Sequence, residues 1–403
     1  MNKTSRRGVA FVWETFGPYH MDRCEACARQ IGDRYDITGI EIASRGDVYG
    51  WDPTGPGNGF RKTTLFPNAF APDIGRWRYF WALLAACLKS GAQYVFLCGF
   101  ENPSIFFTAV VLRLLRRHVI VMQDSKFDDK PRARATECAK ALLYSPYHAA
   151  LVGSPRSKAY LQFLGLRRRP VSLGYDTVSL SRVARLGGSE AAPGGISHAD
   201  RHFTIIARFV AKKNLGMALS AYATYCRRHP GKPRALHLCG SGELEDELRE
   251  QVARSRIQGV HFRGYLQEEA IARTLASSLA LILPSREEPF GLVVNEALAL
   301  SIPVIVSDNC GARDLLVRQA VNGYVVEPDN IEGLARLLRM LDCDAEEWTR
   351  LARNSGRFRA LADTVQFAGG VEEIIRALPV RRSSEQHLEA RDGSAGTGGA
   401  AVG

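Results

Sequence analysis

The feature that most restricts the fold of this chain is an alternation of short, β-rich apolar runs with longer helical patterns. In the first half, helical periodicity covers residues 22–31, 77–89 and 133–144. Between and around these patterns, apolar runs predict strands at residues 9–13, 35–43, 94–97, 118–122 and 149–152. Such alternation is typical of parallel strands joined by crossover helices, so we expect an α/β domain with a doubly wound sheet.

The alternation stops at a Gly-, Ala- and Ser-rich stretch and then starts again. This stretch has no periodicity, and we predict a linker at residues 186–200. Beyond it, strands are expected at residues 203–207, 235–239, 260–262, 279–283, 303–306 and 324–326, and helices at 215–228, 244–254 and 292–300. We therefore expect two Rossmann-like α/β domains, at residues 1–185 and 201–380, that face a cleft. The last helices are candidates to pack back on the first domain.

Two segments fall outside this pattern. Residues 47–72 are rich in Gly, Pro and Asn and predict a long loop. Residues 381–403 are dominated by Gly, Ala, Ser and charged residues, which predicts a disordered tail.

Composition supports an ordinary globular protein, with 46% hydrophobic and 24% charged residues. No apolar run approaches the ~20 residues that a bilayer-spanning helix needs. The N-terminal apolar run is short and ends at Glu14, so we interpret it as a strand rather than a signal peptide and expect a cytoplasmic protein. Most cysteines stand singly in apolar segments, and the Cys24–Cys27 pair lacks a second pair, so no metal or redox site is expected there.

The net charge of +11 favours anionic partners. Arginines cluster at residues 113–117 and 167–169, which we interpret as solvated faces and helix ends. For the first cluster, which extends an apolar helix at 104–115, peripheral membrane contact by the basic N-terminal domain is the alternative. No nucleic-acid motif is found, and nucleic acid is not an expected partner.

Two cations follow the strand predicted at 203–207. Arg208 and Lys213 stand five positions apart, just before a predicted helix. The carboxyl end of a parallel strand is where α/β sheets bind ligands, and a guanidinium with an ammonium suits a diphosphate. A solvated basic loop is the competing interpretation.

A second segment combines an anion site with two carboxylates. After the strand at 279–283, a Gly-containing turn leads into a helix, which would leave the backbone amides of Phe290, Gly291 and Leu292 free at a helix N-terminus. Glu288 lies in the turn, and Glu296 lies eight positions later among apolar residues. Carboxylate oxygens accept hydrogen bonds from sugar hydroxyls, so two carboxylates on the rim of an anion site suit a ligand with hydroxyl groups.

These residues resemble the signature of glycosyltransferase family 4. The resemblance is carried by Arg208-x4-Lys213, by Gly264 after a strand, and by Glu288-x7-Glu296 within Glu-Pro-Phe-Gly and Glu-Ala-Leu-Ala-Leu. It covers residues 203–328 closely and reaches the first half at 14–20 and 160–165. It implies the GT-B architecture and retaining transfer of a hexose from a UDP- or GDP-sugar, with no cofactor and no essential metal.

The resemblance also implies roles for individual residues. Arg208 and Lys213 would hold the diphosphate and stabilise it as it leaves. Glu296 would bind the ribose hydroxyls, and Glu288 with the amides of Phe290, Gly291 and Leu292 would face the donor sugar. The base would lie near Gly264, Tyr265 and Leu266.

The first half departs from the family in one position. Many members carry a His after the fourth N-terminal strand, whereas this chain has Gln123-Asp124-Ser125. Asp124 or His20 is therefore expected to share that role, and Gly17 belongs to the same first loop. The acceptor would contact residues 17–23, 47–72 and 124–132. A saccharide or a lipid-linked saccharide of cell-surface polysaccharide synthesis is expected, and a small-molecule acceptor stays open.

Other readings keep the fold or part of it. A sugar-nucleotide epimerase, a phosphorylase or a catalytically silent sugar-nucleotide binding protein would share the architecture. Gly240-Ser241-Gly242 could open a dinucleotide-binding turn, but Glu245 stands where the third Gly is needed. Asp342-Cys343-Asp344 looks like a metal motif, but an Asp before a helix favours an N-cap.

Overall fold

The computed structural model describes residues 6–46 and 54–378, and within them the chain forms two parallel sheets. The strands of the first sheet are β1 (Arg7–Trp13), β2 (Tyr35–Arg45), β3 (Arg61–Phe70), β4 (Ala92–Cys98), β5 (His118–Gln123), β6 (Ala149–Val152) and β7 (Val171–Leu173). Their order is β3-β2-β1-β4-β5-β6-β7, and all neighbouring strands are parallel. The reversal of strand order between β1 and β4 opens a crevice at the carboxyl edge.

The second sheet repeats this plan with one strand fewer. Its strands are β8 (His202–Ile206), β9 (Leu236–Cys239), β10 (Val260–Gly264), β11 (Ser278–Leu283), β12 (Val304–Ser307) and β13 (Gly323–Val326). Their order is β10-β9-β8-β11-β12-β13, again parallel throughout. Every residue of β11 is buried, as expected of a central strand covered by helices on both faces.

Helices connect the strands and cover both sheets. They are α1 (Pro18–Ile31), α2 (Arg76–Lys89), α3 (Pro103–Leu114), α4 (Arg134–Leu143), α5 (Pro155–Leu161), α6 (Leu180–Gly187), α7 (Leu215–Arg228), α8 (Glu245–Arg254), α9 (Glu268–Ala276), α10 (Val293–Ala299), α11 (Arg313–Leu316), α12 (Ile331–Cys343), α13 (Ala345–Ala362) and α14 (Thr364–Ala377). Asp344 caps α13 by accepting a hydrogen bond from the Glu347 amide at 2.9 Å, so the predicted N-cap is confirmed.

The prediction of one long loop at 47–72 is wrong. Its second part is the edge strand β3, which pairs with β2 from Thr38–Arg61 to Arg45–Phe70. Pro67 lies within this strand, and most of its residues are exposed or only partly buried, as is common along the edge of a sheet. The strand therefore lacks the apolar run on which strand prediction relies. The first part of the segment, residues 47–53, and the predicted tail at 381–403 lie outside the described residues.

The chain passes between the domains earlier than the predicted linker. Val178, Leu180 and Val183 are buried in the core of the second domain, so α6 belongs to that domain. Within the predicted linker, Ala192 is buried and its amide donates to the Leu300 carbonyl at 3.0 Å. Residues 186–200 therefore pack on the second domain, although their composition resembles a linker.

The last helix returns to the first domain. Phe367, Ala368, Val371 and Ile374 of α14 are fully buried in the core that α1 and the first sheet form. The Leu378 carbonyl, which follows α14, accepts a hydrogen bond from the hydroxyl of Tyr94 in β4 at 3.5 Å. The first domain is thus completed by residues that lie nearly two hundred positions after its last strand.

Candidate active site

The loop after β8 positions the two predicted cations. Arg208 follows the strand directly and is exposed, and no described group forms an ion pair with it. A short 3₁₀ turn at Ala211–Lys213 then brings the Lys213 ammonium to 2.5 Å from Oε2 of Glu288. Arg208 is therefore open to an anionic ligand, whereas Lys213 is held by a carboxylate.

Asn214 fixes this loop against its neighbours and was not predicted. It adopts a left-handed conformation, and its side-chain amide donates to the carbonyls of Pro284 and Pro328 at 3.1 and 2.6 Å. Its Oδ1 accepts a hydrogen bond from Arg286 at 3.2 Å. The signal was present in the sequence, because an Asn before a helix tolerates the left-handed conformation.

Glu288 is buried at the carboxyl edge of the second sheet. Its Oε2 accepts hydrogen bonds from Lys213 and, at 3.0 Å, from the hydroxyl of Ser285. Its backbone pairs with the loop after β12, where the Gly311 amide donates to the Glu288 carbonyl at 3.1 Å. Because Oε2 already has two donors, Glu288 is held in place without a ligand.

The turn between Glu288 and α10 depends on two glycines. Gly291 has φ of +102°, which favours glycine, and a Cβ there would also contact the side chains of Leu283 and Cys310. At Gly311, a Cβ would collide with the carbonyl oxygen of Pro289. The helix begins at Val293, one residue later than the predicted range of 292–300, and no described group accepts a hydrogen bond from the amides of Phe290, Gly291 or Leu292.

Glu296 is buried in α10 and touches the first domain. The hydroxyl of Tyr19, in α1, donates to Oε1 of Glu296 at 2.7 Å. Burial raises the pKa of the Glu296 carboxyl to about 7, although the Tyr19 hydrogen bond and the charge of Arg182 oppose this rise. A carboxyl with this pKa changes protonation near neutral pH.

Asp124 follows β5 in the first domain. Burial, with the negative charges of Asp129 and Glu288, raises the pKa of its carboxyl to about 6. The carboxyl of Asp124 therefore lies within electrostatic range of Glu288 in the second domain. The backbone carbonyl of Asp124 accepts a hydrogen bond from Ser157 at 2.7 Å, which fixes the loop.

His20 has a structural role at the start of α1. Its Nδ1 accepts a hydrogen bond from the Gly17 amide at 3.0 Å, and its ring lies 4.6 Å from that of Trp13. Burial, with the charge of Arg23, holds the pKa of His20 well below its usual range. The ring is therefore neutral, and Gly17 serves as the N-cap residue of α1.

Asp176 is a buried carboxylate that the sequence analysis missed. It lies after β7, where its Oδ1 is 3.6 Å from the Arg23 guanidinium and its Oδ2 has no hydrogen-bond partner among the described residues. Burial, with the charge of Asp124, raises the pKa of its carboxyl well above the ordinary value. The Asp176 carbonyl accepts a hydrogen bond from Asn295 of α10 at 3.1 Å, which joins the two domains.

The predicted base region lies beside a second set of contacts between the domains. Gly264 ends β10, and its carbonyl accepts a hydrogen bond from the Gly240 amide at 2.7 Å. Tyr265 is half exposed and Leu266 partly buried, just before α9. In α9, Glu268 pairs with Arg182, which also binds Asp22 of α1 through both carboxylate oxygens.

A further contact joins the domains through α5. Arg156 of α5 donates to Asp314 Oδ2 at 2.8 Å and to the Cys310 carbonyl at 2.7 Å. Asp314 lies within residues 203–328, which the resemblance covers. The domains are thus joined by Tyr19 and Arg182 in one set of contacts and by Arg156 in another.

Side chains able to bind a metal meet at one place among the described residues, away from these loops in sequence. His229, Asp342 and Cys343 offer ligand atoms within 4.8 Å of one another. Asp342 is already paired with Arg234 at 2.6 Å and accepts a hydrogen bond from Tyr225. We interpret the group as a structural network, because the charge of Asp342 is already balanced.

The start of α8 carries the alternative dinucleotide motif. Glu245, Asp246 and Glu247 form its first turn, where their charges would repel a pyrophosphate. This arrangement favours the loops after β8 and β11 as the anion site.

Comparison with known proteins agrees with this location. Residues 190–357 match the family model described as glycosyl transferases group 1. The glycogen synthase of Mycobacterium tuberculosis is 31% identical over 159 residues, which are 39% of this chain and 37% of that protein. The chain matches little more than a third of the length of such relatives.

Solved structures resemble almost the whole chain. Sucrose-phosphate synthase from Thermosynechococcus elongatus has a TM-score of 0.70 and 18% identity, covering 96% of this chain and 100% of that one. Anabaena HepE, solved in complex with UDP and glucose, has a TM-score of 0.67 and 16% identity, covering 93% of this chain and 100% of that one. These likenesses confirm the expected GT-B architecture of two Rossmann-like domains.

Proposed function

We propose that this chain, a GT-B protein whose residues 190–357 match the model of the group 1 glycosyl transferases, is a retaining hexosyltransferase. Its donor is a UDP- or GDP-sugar, and its acceptor is a saccharide or lipid-linked saccharide. The observation that carries the proposal is the Lys213–Glu288 pair at the carboxyl edge of the second sheet, within electrostatic range of Asp124 of the first domain. HepE, which shares the fold, has been solved with UDP and glucose and supports a nucleotide-sugar donor.

The cations provide the electrostatic part of the reaction. The exposed Arg208 guanidinium and the Lys213 ammonium both follow β8, where a diphosphate would meet two positive charges. As the sugar–phosphate bond breaks, charge grows on the departing diphosphate, and fixed cations stabilise that charge more than they stabilise the bound donor.

The carboxylates orient the donor. Glu296 accepts a hydrogen bond from Tyr19 in this structure, and we assign the same oxygen to a ribose hydroxyl when the nucleotide is bound. Glu288 keeps one oxygen on Lys213 and Ser285, and its other oxygen is assigned to the sugar. Asp124 approaches from the first domain and is the candidate to face the reacting carbon.

The proposal is tested by donor turnover. The chain is incubated with UDP-glucose, UDP-galactose, UDP-N-acetylglucosamine and GDP-mannose, and release of nucleoside diphosphate and the anomer of the transferred or hydrolysed sugar are measured. We expect one donor to be consumed with its anomeric configuration kept, and Glu288→Gln to abolish consumption. Inversion of configuration would overturn the retaining assignment. Turnover that is unchanged in Glu288→Gln would overturn the assignment of the site.

A further inference from the structure

Two neighbouring helices of the first domain expose large apolar side chains. On α2, Trp77 and Trp81 are 75% and 62% exposed, and Leu88 continues their stripe. On α3, Phe107 and Leu114 are 56% and 76% exposed. Spacings of four and seven residues place each set on one side of its helix. We refer to these five side chains and the cations described below as the α2–α3 face.

The two stripes lie on the same layer of the molecule. The inner sides of both helices, with Leu83 of α2 and Ala109 of α3, pack in one core against the same side of the first sheet. The Ser104 hydroxyl of α3 donates to the Arg76 carbonyl of α2 at 2.9 Å, so the helices begin next to each other. The exposed stripes therefore run side by side, facing away from the sheet.

The charge of the α2–α3 face has one sign. Residues 76–89 and 103–117 contain no Asp or Glu. They contain six cations, of which the first five are exposed: Arg76, Arg78, Lys89, Arg113, Arg116 and Arg117. None of the six forms an ion pair with an acid of the described residues. A surface with exposed aromatic and apolar side chains among cations that have no acidic partner matches an anionic, partly apolar partner.

We propose that the α2–α3 face binds the surface of an anionic lipid bilayer. The tryptophans and Phe107 would lie at the level of the headgroups, where amphipathic rings are favoured, and the cations would meet lipid phosphates. No helix among the described residues is long and apolar enough to cross a membrane. In the proposed contact, the protein lies on the surface of the bilayer. A second copy bound through the same face would place six cations against six, which disfavours a symmetric dimer.

This contact also orients the cleft. Helices that follow parallel strands begin at the carboxyl edge of the sheet, so Trp77 and Phe107 lie near the edge at which Asp124 follows β5. A lipid-linked acceptor would then approach the cleft from the bilayer. The proposal does not rest on the proposed function, because membrane binding is measured without donor or acceptor.

The test is flotation of the full chain with vesicles. Two compositions are compared, phosphatidylcholine alone and phosphatidylcholine with an equal amount of phosphatidylglycerol. We expect binding to the second composition, weakened by added salt. The apolar variant is Trp77→Ser/Trp81→Ser, and its matched control is Leu361→Ser/Val365→Ser, which changes two exposed apolar residues of α13 and α14.

A second pair of variants tests the contribution of the cations, and both variants change the net charge by the same amount. Lys89→Glu/Arg116→Glu changes two exposed cations of the face, and Arg353→Glu/Arg357→Glu changes two exposed cations of α13. Binding should weaken at least about tenfold in the first variant and stay near wild type in the second, because each surface cation contributes about fivefold to attraction by anionic lipid. Circular dichroism confirms that each variant is folded.

Three results would overturn the proposal. One is equal binding to both vesicle compositions, and another is binding that falls equally in the face variants and their controls. The third is a dimer, measured by analytical ultracentrifugation, that Trp77→Ser/Trp81→Ser dissociates, since this would assign the face to a second copy.

Discussion

Lys213 and Glu288 form a largely buried ion pair. In the proposed function Lys213 binds the diphosphate and Glu288 binds the donor sugar. The side chains are 15% and 9% exposed, and removal of one charge leaves the other buried without a partner. We predict that Lys213→Met lowers the free energy of unfolding by about 3 kcal/mol and weakens binding of a nucleoside diphosphate at least about tenfold. Denaturant unfolding and calorimetric titration measure the two effects.

Two further variants separate stability from binding. In Lys213→Met/Glu288→Gln the unpaired charge is removed, so stability should recover in large part while nucleotide binding stays weak. Lys212→Met is the matched control, since Lys212 forms no ion pair with a described acid. A Lys212 variant that loses as much affinity as the Lys213 variant would contradict the placement of the phosphate site.

Glu296 should make donor binding depend on pH. Burial raises the pKa of its carboxyl to about 7, so below that pH the group is protonated and loses an acceptor that a ribose hydroxyl needs. We predict that affinity for a nucleotide sugar falls about tenfold between about pH 8 and about pH 6. Calorimetric titration across this range measures the fall.

Variants at Glu296 and Asp124 show which of the two carboxyl groups causes the pH dependence of donor binding. Glu296→Gln should bind weakly at every pH and lose most of the fall. Asp124→Asn should keep it, because the pKa of Asp124 lies lower, at about 6. A pH dependence that survives Glu296→Gln and disappears in Asp124→Asn would assign the titration to the first domain.

At the scale of residues, the second-domain part of the candidate site could be predicted from the sequence, but its contacts with the first domain could not. Lys213, Glu288 and Glu296 belong to short motifs, so their spacing was informative. The Tyr19–Glu296 contact joins positions 277 apart, and Asp22–Arg182 joins positions 160 apart. Such contacts depend on how the domains meet, which no local pattern encodes.

At the scale of elements, the turn from β11 to α10 depends on close backbone approach. Gly311→Ala would place a Cβ against the Pro289 carbonyl, and a backbone atom moves less easily than a side chain. We predict a loss of at least about 2 kcal/mol in the free energy of unfolding, measured by urea denaturation.

Gly369→Ala provides the comparison within the same chain. Gly369 lies inside α14, and a Cβ there has no atom within 4 Å. The same chemical change should be neutral or stabilise the protein by about 0.5–1 kcal/mol through helix propensity. Equal losses at both positions would mean that the turn is not tightly packed.

The burial of a strand decided whether it could be predicted from the sequence. Strands with continuous apolar sequence, such as β6 and β11, were found because both faces are covered. The edge strand β3 alternates between exposed and partly buried residues, and β7 has three residues, so neither gives a clear apolar run. The start of α10 was predicted at residue 292 and lies one residue later, at Val293.

At the scale of the whole molecule, the end of the described chain stabilises its beginning. Phe367 in α14 is fully buried, and its ring lies 5.4 Å from that of Phe11 in β1. We predict that Phe367→Ala costs about 3–5 kcal/mol and speeds hydrogen exchange of β1 amides more than that of β11 amides.

Val365→Ala is the control two positions away, because Val365 is exposed and its loss should cost under about 0.5 kcal/mol. Hydrogen exchange that rises only in the second domain of the Phe367 variant would contradict the assignment of α14 to the first core.

The presence of two domains could be predicted from the repeated alternation of strands and helices. The points at which the chain passes from one domain to the other could not, because α6 and α14 have ordinary amphipathic sequences.

We propose that the loops after β8 and β11 form a nucleoside-diphosphate site. Calorimetric titration of UDP, GDP, ADP and NAD into the wild-type chain and into Arg208→Ala/Lys213→Ala tests this site. We predict that UDP or GDP binds the wild type, that the double variant loses this binding, and that NAD does not bind. Binding of NAD that the double variant retains, or binding of a diphosphate that it retains, would contradict the account.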